Sequence, residues 1–362
     1  MITYAKYTQK QKVMDAWRTA FPTDSEEFVD FYFEKKYRNE NTLLLLKDFK
    51  MASCLQILPY RMTYYGKLVN CAYISGAMTL PEYQNQGLMK ELFVYTLKEM
   101  RKKGNAVTAI IPQEPWLIDF YKKFDYIPCF EYELTAVNPS DYPPFPDKMT
   151  LKEFEFTDLR NAYPFYKKHF EQQNLCVQKS YPDFSVMAQV CQNFEGKVYL
   201  LIDEEEMVGV CFCFLSDGKV VLKDCITKNE DYQQYFLSKL IRLFDNQPVF
   251  LYSSVKDASN SVFLGMARIL DAPKLLSSFA KANPQVAFSI KIHDEYVAEN
   301  NVTLSVCDGK MYEETRFQLP TVDFELPIEK VTQLLLGYRT AALEEKYAIF
   351  PQRHPYMSLM LE

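Results

Sequence analysis

The sequence predicts a mixed α/β protein of the α+β class, built from two or three domains. Its 362 residues exceed what a single hydrophobic core usually contains. Segments with helical periodicity and segments with strand periodicity alternate over the first 135 residues. Part of the same order returns between residue 150 and about residue 262. This repeat predicts that a second domain has the architecture of the first.

The amino-terminal segments predict two helices, a strand pair and a long third strand. The helices are expected at 10–21 and 25–37, separated by Pro22 and recapped at Thr23-Asp24. The strands are expected at 43–47, 53–62 and 68–80. Pro81 ends the third strand, because proline has no N–H to donate to a sheet.

The clearest helix of the sequence is expected at 87–103. Its apolar face, at helical spacing, consists of Leu88, Met89, Leu92, Phe93, Leu97 and Met100. Gly104 follows, at the position where a glycine commonly ends a helix. The first domain is completed by a strand at 106–111, a helix at 116–124 and a strand at 129–134.

Four prolines between residues 138 and 147 indicate a linker. The domains are therefore expected at 1–136, 148–264 and 265–362. For the second domain we expect strands at 198–202, 208–215, 220–226 and 249–252, with a helix at 231–244. For the third we expect helices at 272–282 and 328–336, with strands at 285–292, 302–307, 311–318 and 322–326.

Composition argues against several classes of partner. A net charge of −6 without a clustered basic surface argues against nucleic acid. The longest apolar run, 208–215, is too short to cross a bilayer, and the amino terminus lacks the apolar core of a signal peptide. We therefore expect a soluble cytoplasmic protein without a membrane partner. Nine cysteines without a C-x-x-C pair, and three widely separated histidines, predict reduced thiols and no metal site.

The stretch from Tyr83 to Met89 lies between a predicted strand and the predicted helix at 87–103. A helix amino terminus presents unpaired N–H groups and a partial positive charge, so it can bind a pyrophosphate without cationic side chains. Gly87 would let the backbone approach such a ligand closely. The alternative is a simple tight turn, because strand–glycine–helix turns are common.

This stretch resembles the Q/R-x-x-G-x-G/A loop of the GNAT superfamily of acetyltransferases. Gln84 occupies the first position and Gly87 the fourth, whereas Met89 stands where a small residue is usual and Gln86 where a basic residue is frequent. The resemblance implies acetyl-CoA as cosubstrate and no metal. It assigns pyrophosphate binding to Gln84, Asn85, Gln86, Gly87, Leu88 and Met89. It assigns backbone pairing with the pantetheine arm to Ala77, Met78, Thr79 and Leu80.

A second segment, residues 120–126, resembles the F-Y-x-x-x-G-[FY] segment of the same enzymes. The resemblance implies that Tyr121 protonates the departing thiolate, while Asp125 stands where glycine is usual. A phenol is a weaker acid than a thiol by about 2 kcal/mol in water, so this transfer would be concerted with C–S cleavage. Alternatively, Tyr121 is one of 26 tyrosines and only packs on a helix.

The whole chain resembles the enhanced intracellular survival (Eis) family, which has an active GNAT domain, a degenerate second one and a domain like sterol carrier proteins. Two stretches of the third segment, 266–271 and 334–339, carry this resemblance. The second segment has no glycine between Gly218 and Gly265, so it cannot form the same pyrophosphate turn. The family also implies a homo-oligomer, for which a hexamer of paired trimers is one arrangement.

In this family the terminal carboxylate enters the GNAT cavity, which places a catalytic role on Glu362. A carboxylate is a poor base for an ammonium group, so it would act mainly by orienting the substrate or a water molecule. The alternative is a frayed, solvent-exposed tail.

The acceptor implied by the resemblance is a primary amine, either a small cationic molecule or a lysine side chain of a peptide. Asp24 and Glu27 could face such an amine, although acidic residues at this position also suit the start of a helix. A non-catalytic carrier or sensor that binds CoA or a lipid is the competing function.

Overall fold

The computed structural model describes residues 1–138, 142, 149–244, 247–255, 260–314 and 322–360. These residues form two compact units that do not follow chain order. The first unit joins Met1–Phe130 to Leu264–Pro355, and the second joins Glu131–Phe263 to the tail that begins at Tyr356. The first and third predicted domains therefore share one compact unit. Most of the predicted linker, including its four prolines, lies outside the described residues.

The amino-terminal part contains the predicted elements in the predicted order. Its helices are α1 Lys10–Ala20, α2 Glu26–Lys35, α3 Leu88–Lys102 and α4 Pro115–Lys122. Its strands are β1 Ile2–Tyr4, β2 Thr42–Lys47, β3 Lys50–Tyr64, β4 Lys67–Thr79, β5 Val107–Ile110 and β6 Ile127–Val137. Strand β1 was not predicted, because three residues are too few to show a periodicity.

The middle part repeats this order. Its helices are α5 Leu159–Glu171, α6 Tyr181–Val190 and α7 Glu230–Leu243. Its strands are β7 Met149–Glu153, β8 Val177–Gln178, β9 Gly196–Asp203, β10 Glu206–Ser216, β11 Lys219–Thr227 and β12 Val249–Ser254. A strand, two helices, three strands, a helix and a strand occur in this order in both parts, with the two-residue strand β8 inserted between the two helices of the middle part. The prediction of a tandem fold is therefore confirmed.

The carboxy-terminal part contains a small four-stranded sheet, two helices and one further strand, β13, that lies outside this sheet. Its helices are α8 Ala272–Ala282 and α9 Ile328–Leu335. Its strands are β13 Ser261–Ile269, β14 Phe288–His293, β15 Thr303–Cys307, β16 Lys310–Glu313 and β17 Phe324–Pro327. The strand predicted at 311–318 is observed as β16, and residues 315–321 lie outside the described ones.

In the first unit β1 to β4 form an antiparallel sheet, and β5 joins β4 in parallel. The other edge of β5 pairs with the end of β13, over Met266–Ile269. Helix α3 packs on β2, β3 and β4 through the apolar face predicted from its spacing. Leu92, Phe93, Leu97 and Met100 of that face are fully buried. The sheet β16-β15-β14-β17 belongs to the same unit.

In the second unit β9, β10 and β11 are antiparallel neighbours, and β12 runs parallel to β11. Cys211 and Cys213 are completely buried in β10, as small core residues of a strand. Within the described ranges, no helix is both long enough and apolar enough to span a membrane.

The tail of the chain is anchored in the second unit by one buried carboxylate. Asp224 of β11 accepts hydrogen bonds from the hydroxyls of Tyr166 (2.8 Å), Tyr356 (2.7 Å) and Ser358 (2.9 Å). The Tyr356 carbonyl in turn accepts from the Val177 amide at 2.9 Å. Two of the three hydroxyls come from the tail, so Asp224 ties the tail to the core of the unit.

We predict that Asp224→Asn lowers the free energy of unfolding by about 2 kcal/mol, because a neutral amide cannot satisfy three buried donors as a carboxylate does. Denaturant titration of the full chain measures the change. Glu205→Gln, at an exposed hairpin turn, is the control and should stay within about 0.5 kcal/mol. Equal stability of both variants would contradict the anchoring role.

Candidate active site

The two parallel strands at the centre of the first unit stop pairing before β4 ends. Pairing joins Cys71–Tyr73 to Val107–Ala109, whereas β4 continues to Thr79. In the described residues, the edge of β4 beyond Tyr73 therefore has no partner strand on the β5 side. An open strand edge presents N–H and C=O groups that an extended ligand can pair with.

A β-bulge lies in this open part of β4. Cys54 pairs with Met78 and Gln56 pairs with Ser75, so Gly76 and Ala77 together face the single residue Leu55. Gly76 has a φ of +56°, and a Cβ there would lie 2.4 Å from Cζ3 of Trp17. Only glycine fits, for both conformational and steric reasons. Gly76 was not among the predicted site residues, although an isolated glycine in a strand is a known signal of a bulge.

A cavity opens where the strands separate, with a volume of about 50 Å³. Its wall consists of Tyr73–Ala77 of β4, Ile110, Ile111, Gln113, Leu117 and Tyr121 after it in the chain, Trp17 of α1, and Phe21, which directly follows α1. One water needs roughly 10–15 Å³ by the same kind of measure, so the space suits a group of a few atoms. It is large enough for an acetyl group but not for a whole nucleotide cofactor.

Tyr121 reaches this cavity from α4. Its side chain is only 5% exposed and packs against Phe93, with ring centroids 5.4 Å apart. In the described residues its hydroxyl makes no hydrogen bond, although Tyr121 lines the cavity. Burial raises the pKa of Tyr121 well above its ordinary value, because a phenolate would be poorly solvated there. The phenol therefore stays protonated at neutral pH and can donate a proton.

The loop before α3 is open to solvent and its helix is uncapped. Gly87 is the N-cap residue, with a φ of +75°, and it provides no side-chain cap. Asn85 is also left-handed, with a φ of +60°. Gln84 and Gln86 donate within the loop, to the carbonyls of Thr79 (3.3 Å) and Glu82 (3.2 Å). The first N–H groups of α3, at Leu88 and Met89, thus face an exposed turn.

The four strand residues predicted to contact the pantetheine arm differ in their surroundings. Ala77 lines the cavity, and Met78 is buried. Thr79 Oγ1 lies 2.9 Å from Ser53 Oγ. The Leu80 amide donates to the Ala52 carbonyl at 2.9 Å. The contacts of Thr79 and Leu80 hold the end of β4 against β3, and Ala77 is the one of the four that lines the cavity.

The predicted acceptor-binding residues lie on the α1–α2 connection. Asp24 Oδ2 accepts from the indole N–H of Trp17 at 2.7 Å, and Trp17 lines the cavity. The cap of α2 is Ser25, whose Oγ accepts from the Phe28 amide, so the cap expected at Thr23-Asp24 is one residue too early. This difference leaves Asp24 beside the cavity wall. Glu27 is exposed in the first turn of α2.

Three polar side chains, Tyr32, Gln56 and Ser75, form a buried cluster under the bulge. No motif in the sequence indicated this cluster. The Tyr32 hydroxyl donates to Gln56 Oε1 at 3.1 Å and lies 3.1 Å from Ser75 Oγ. Gln56 Nε2 is buried without a hydrogen-bond partner among the described residues. Ser75 lines the cavity, so this group reaches its polar side. Glu362, the remaining predicted catalytic residue, lies outside the described residues.

The family models match the two ends of the chain. Residues 2–129 match the acetyltransferase (GNAT) domain, and residues 272–358 match the sterol carrier protein domain. The amino-terminal part therefore matches a GNAT acetyltransferase domain, and the prediction of an acyltransferase is confirmed. GNAT domains use acetyl-CoA in general. The carboxy-terminal part is a sterol-carrier-like domain, as predicted.

Solved structures match the whole chain in fold. A GCN5-related N-acetyltransferase from Anabaena variabilis ATCC 29413 has a TM-score of 0.78 and 17% identity, covering 99% of this chain and 98% of its own. A second one, from Kribbella flavida, has a TM-score of 0.76 and 18% identity, with 99% and 97% covered. Eis1 from Mycobacterium abscessus has a TM-score of 0.75 and 13% identity, with 99% of both chains covered. No curated protein sequence matches this chain.

We predict that Gly76→Ala destabilises the protein by about 3 kcal/mol, because left-handed strain and a clash with Trp17 add up. Gly66→Ala is the matched control, since Gly66 is also left-handed but a Cβ there would have no atom within 4 Å. That variant should lose only about 1 kcal/mol. Thermal and denaturant unfolding give both values, and equal losses would contradict the close approach of Trp17.

Proposed function

We propose that this chain is an acetyl-CoA-dependent N-acetyltransferase that transfers the acetyl group to a primary amine by direct attack in a ternary complex. The observation that carries the proposal is the cavity at the break in β4–β5 pairing, with Tyr121 in its wall. The first unit thus contains an open strand edge, an uncapped helix amino terminus and a phenol. Those are the groups that a pantetheine arm, a pyrophosphate and a leaving thiolate require.

The residues fit the cosubstrate without any cationic side chain in the loop. Gly87 leaves open space where a side chain would stand, since a Cβ there would have no atom within 4 Å. The backbone N–H groups that follow it supply the donors for a pyrophosphate. The departures at Gln86 and Met89 change side chains and leave these backbone donors in place.

The chemistry assigns one proton transfer to Tyr121. The neutral amine attacks the thioester carbonyl, a C–N bond forms, and the C–S bond breaks with its electron pair left on sulfur. The Tyr121 O–H gives its proton to that sulfur as the bond breaks. The proton released by the amine nitrogen then restores the phenol through water. Since the raised pKa of Tyr121 disfavours a free phenolate, the two transfers are closely coupled.

Asp24 is the residue that we assign to the acceptor. Its Oδ2 is engaged by Trp17 Nε1, and a carboxylate has a second oxygen with which to accept from an ammonium group. Trp17 and Phe21 give the same side of the cavity an aromatic wall. This combination suits a cationic amine with an apolar stem. Glu27 is exposed at the start of α2 and is not part of the cavity wall. It would attract a cationic acceptor by its charge alone.

We predict that Tyr121→Phe lowers kcat for acetyl transfer by about 10²-fold and leaves the Kd for acetyl-CoA unchanged. The phenyl ring keeps the packing on Phe93 and loses only the proton donor. Thiol release by the purified variant, with a panel of polyamines and peptide lysines as acceptors, measures the rate. Wild-type turnover in this variant would remove Tyr121 from the mechanism.

We predict that Gly87→Ala raises the Kd for acetyl-CoA by about tenfold, because the new methyl group stands where the pyrophosphate approaches the backbone. Gly104→Ala, at the other end of α3, is the matched control: this glycine is also left-handed and also has open space around a Cβ. Both variants should lose the same stability, about 1 kcal/mol. Calorimetric titration that finds equal affinities would contradict this cofactor site.

A further inference from the structure

The sterol-carrier-like part of the first unit contacts the end of the helix that bears Tyr121. Helix α4 has only eight residues, and it ends at Lys122. Its amino-terminal end is open to solvent, with Trp116 65% exposed. The Tyr296 hydroxyl donates to the carbonyl of Lys123 at 2.7 Å, directly after this helix. The Tyr296 ring also packs on Phe124, with centroids 5.6 Å apart.

An ion pair adds a second connection at the same end of the helix. Arg268 of β13 is completely buried, and its Nη2 lies 2.6 Å from Asp294 Oδ1 and 3.5 Å from Asp125 Oδ2. Asp125 is four residues beyond Tyr121 in the sequence. The guanidinium also lies 5.9 Å from the centre of the Tyr296 ring. Arg268 therefore sits between Asp125 and the carboxy-terminal part.

Asp294, the third charged residue beside Arg268 and Asp125, is held in place by several hydrogen bonds. Asp294 Oδ1 accepts from the amides of Tyr296 and Val297, each at 2.9 Å, and its Oδ2 accepts from Asn300 Nδ2 at 2.9 Å. Each of these bonds fixes the loop that carries Tyr296. A buried charge with this many donors has one favourable position, and it therefore fixes Arg268 and Tyr296 together.

Asp125 stands where the motif has glycine, and its backbone conformation is less favourable for aspartate than for glycine. Its φ is +62°, in the left-handed region that glycine accepts freely and other residues accept less well. Aspartate tolerates this region better than most residues, and here its carboxylate faces a buried arginine. The Asp125 carboxylate, which a glycine would lack, thus faces Arg268.

We propose that Tyr296 and Arg268 are positioning residues for Tyr121, and that the sterol-carrier-like part acts as a brace for α4. The inference rests on the proposed acid role of Tyr121. A phenol held at one end of a two-turn helix loses its alignment when that end moves, and small misplacements have large effects on rate.

The interior of the sterol-carrier-like part agrees with a structural role. Four phenylalanine rings pack on one another there with centroids 5.3–6.3 Å apart, namely Phe279, Phe288, Phe324 and Phe350. Aromatic contacts of this kind stabilise a core beyond the area that they bury. The brace therefore rests on a packed core of its own.

The test is a double-mutant cycle between Tyr296→Phe and Tyr121→Phe, measured by acetyl transfer with the full chain. Tyr296→Phe removes only the hydrogen bond to Lys123, and we expect kcat to fall roughly fivefold with KM for acetyl-CoA within about twofold. In the Tyr121→Phe background the same change should alter kcat less than about 1.5-fold, because the group being positioned is absent. Tyr312→Phe, at an exposed strand residue of the same part, is the matched control.

A second measurement is independent of activity. Hydrogen exchange of residues 117–124 should become faster in Tyr296→Phe and in Asp125→Gly, and should not change in Tyr312→Phe. Asp125→Gly keeps the left-handed backbone without strain while it deletes the carboxylate that meets Arg268. This variant therefore tests the ion pair with little risk of unfolding.

Two results would overturn the proposal. An unchanged kcat in Tyr296→Phe would show that α4 needs no brace, and an equal loss in both backgrounds would show a general structural effect. Failure of the proposed function looks different, because Tyr121→Phe itself would then keep full turnover. In that case faster exchange confined to 117–124 would still establish the brace, and unchanged exchange would exclude it.

Discussion

The separation of β4 from β5 after Tyr73 is the constraint on which the rest of the site depends. Two parallel strands that remained paired would leave no cavity and no open backbone edge. The bulge at Gly76 and Ala77 occurs within the open stretch, and it needs a residue without a side chain because Trp17 occupies the adjacent space. The close contact between Gly76 and Trp17 thus joins the bulge of β4 to α1. Both residues belong to the cavity wall.

Local patterns in the sequence predicted most of the first unit. The helix at Leu88–Lys102 was recognised because its apolar residues recur at helical spacing, and its bounds agree within one residue at each end. Gly87 and Tyr121 were proposed as site residues because each lies at a fixed place in a motif. Strand β13 was missed, since a segment that opens the third predicted domain has no reason, from its own pattern, to pair with β5.

The contacts that bring distant segments together could not be predicted in this way. Nothing in the residues around Trp17 indicates that Gly76 lies against its ring, because the two are far apart in the sequence. The buried arrangement of Arg268, Asp294 and Asp125 is similar, because each residue alone resembles an ordinary surface charge. Burial decides the role of such groups, and burial is a property of the folded chain.

The interleaving of the two compact units has a consequence for how the chain folds. The first unit needs Leu264–Pro355 to be complete, and the second needs the tail that follows it, so a fragment ending at residue 263 contains neither unit whole. Neither core is complete until residues far apart in the sequence make contact. This requirement slows folding and prolongs the exposure of apolar strands. A cut at the predicted boundaries between the three sequence segments would therefore divide a compact unit and would not release a whole one.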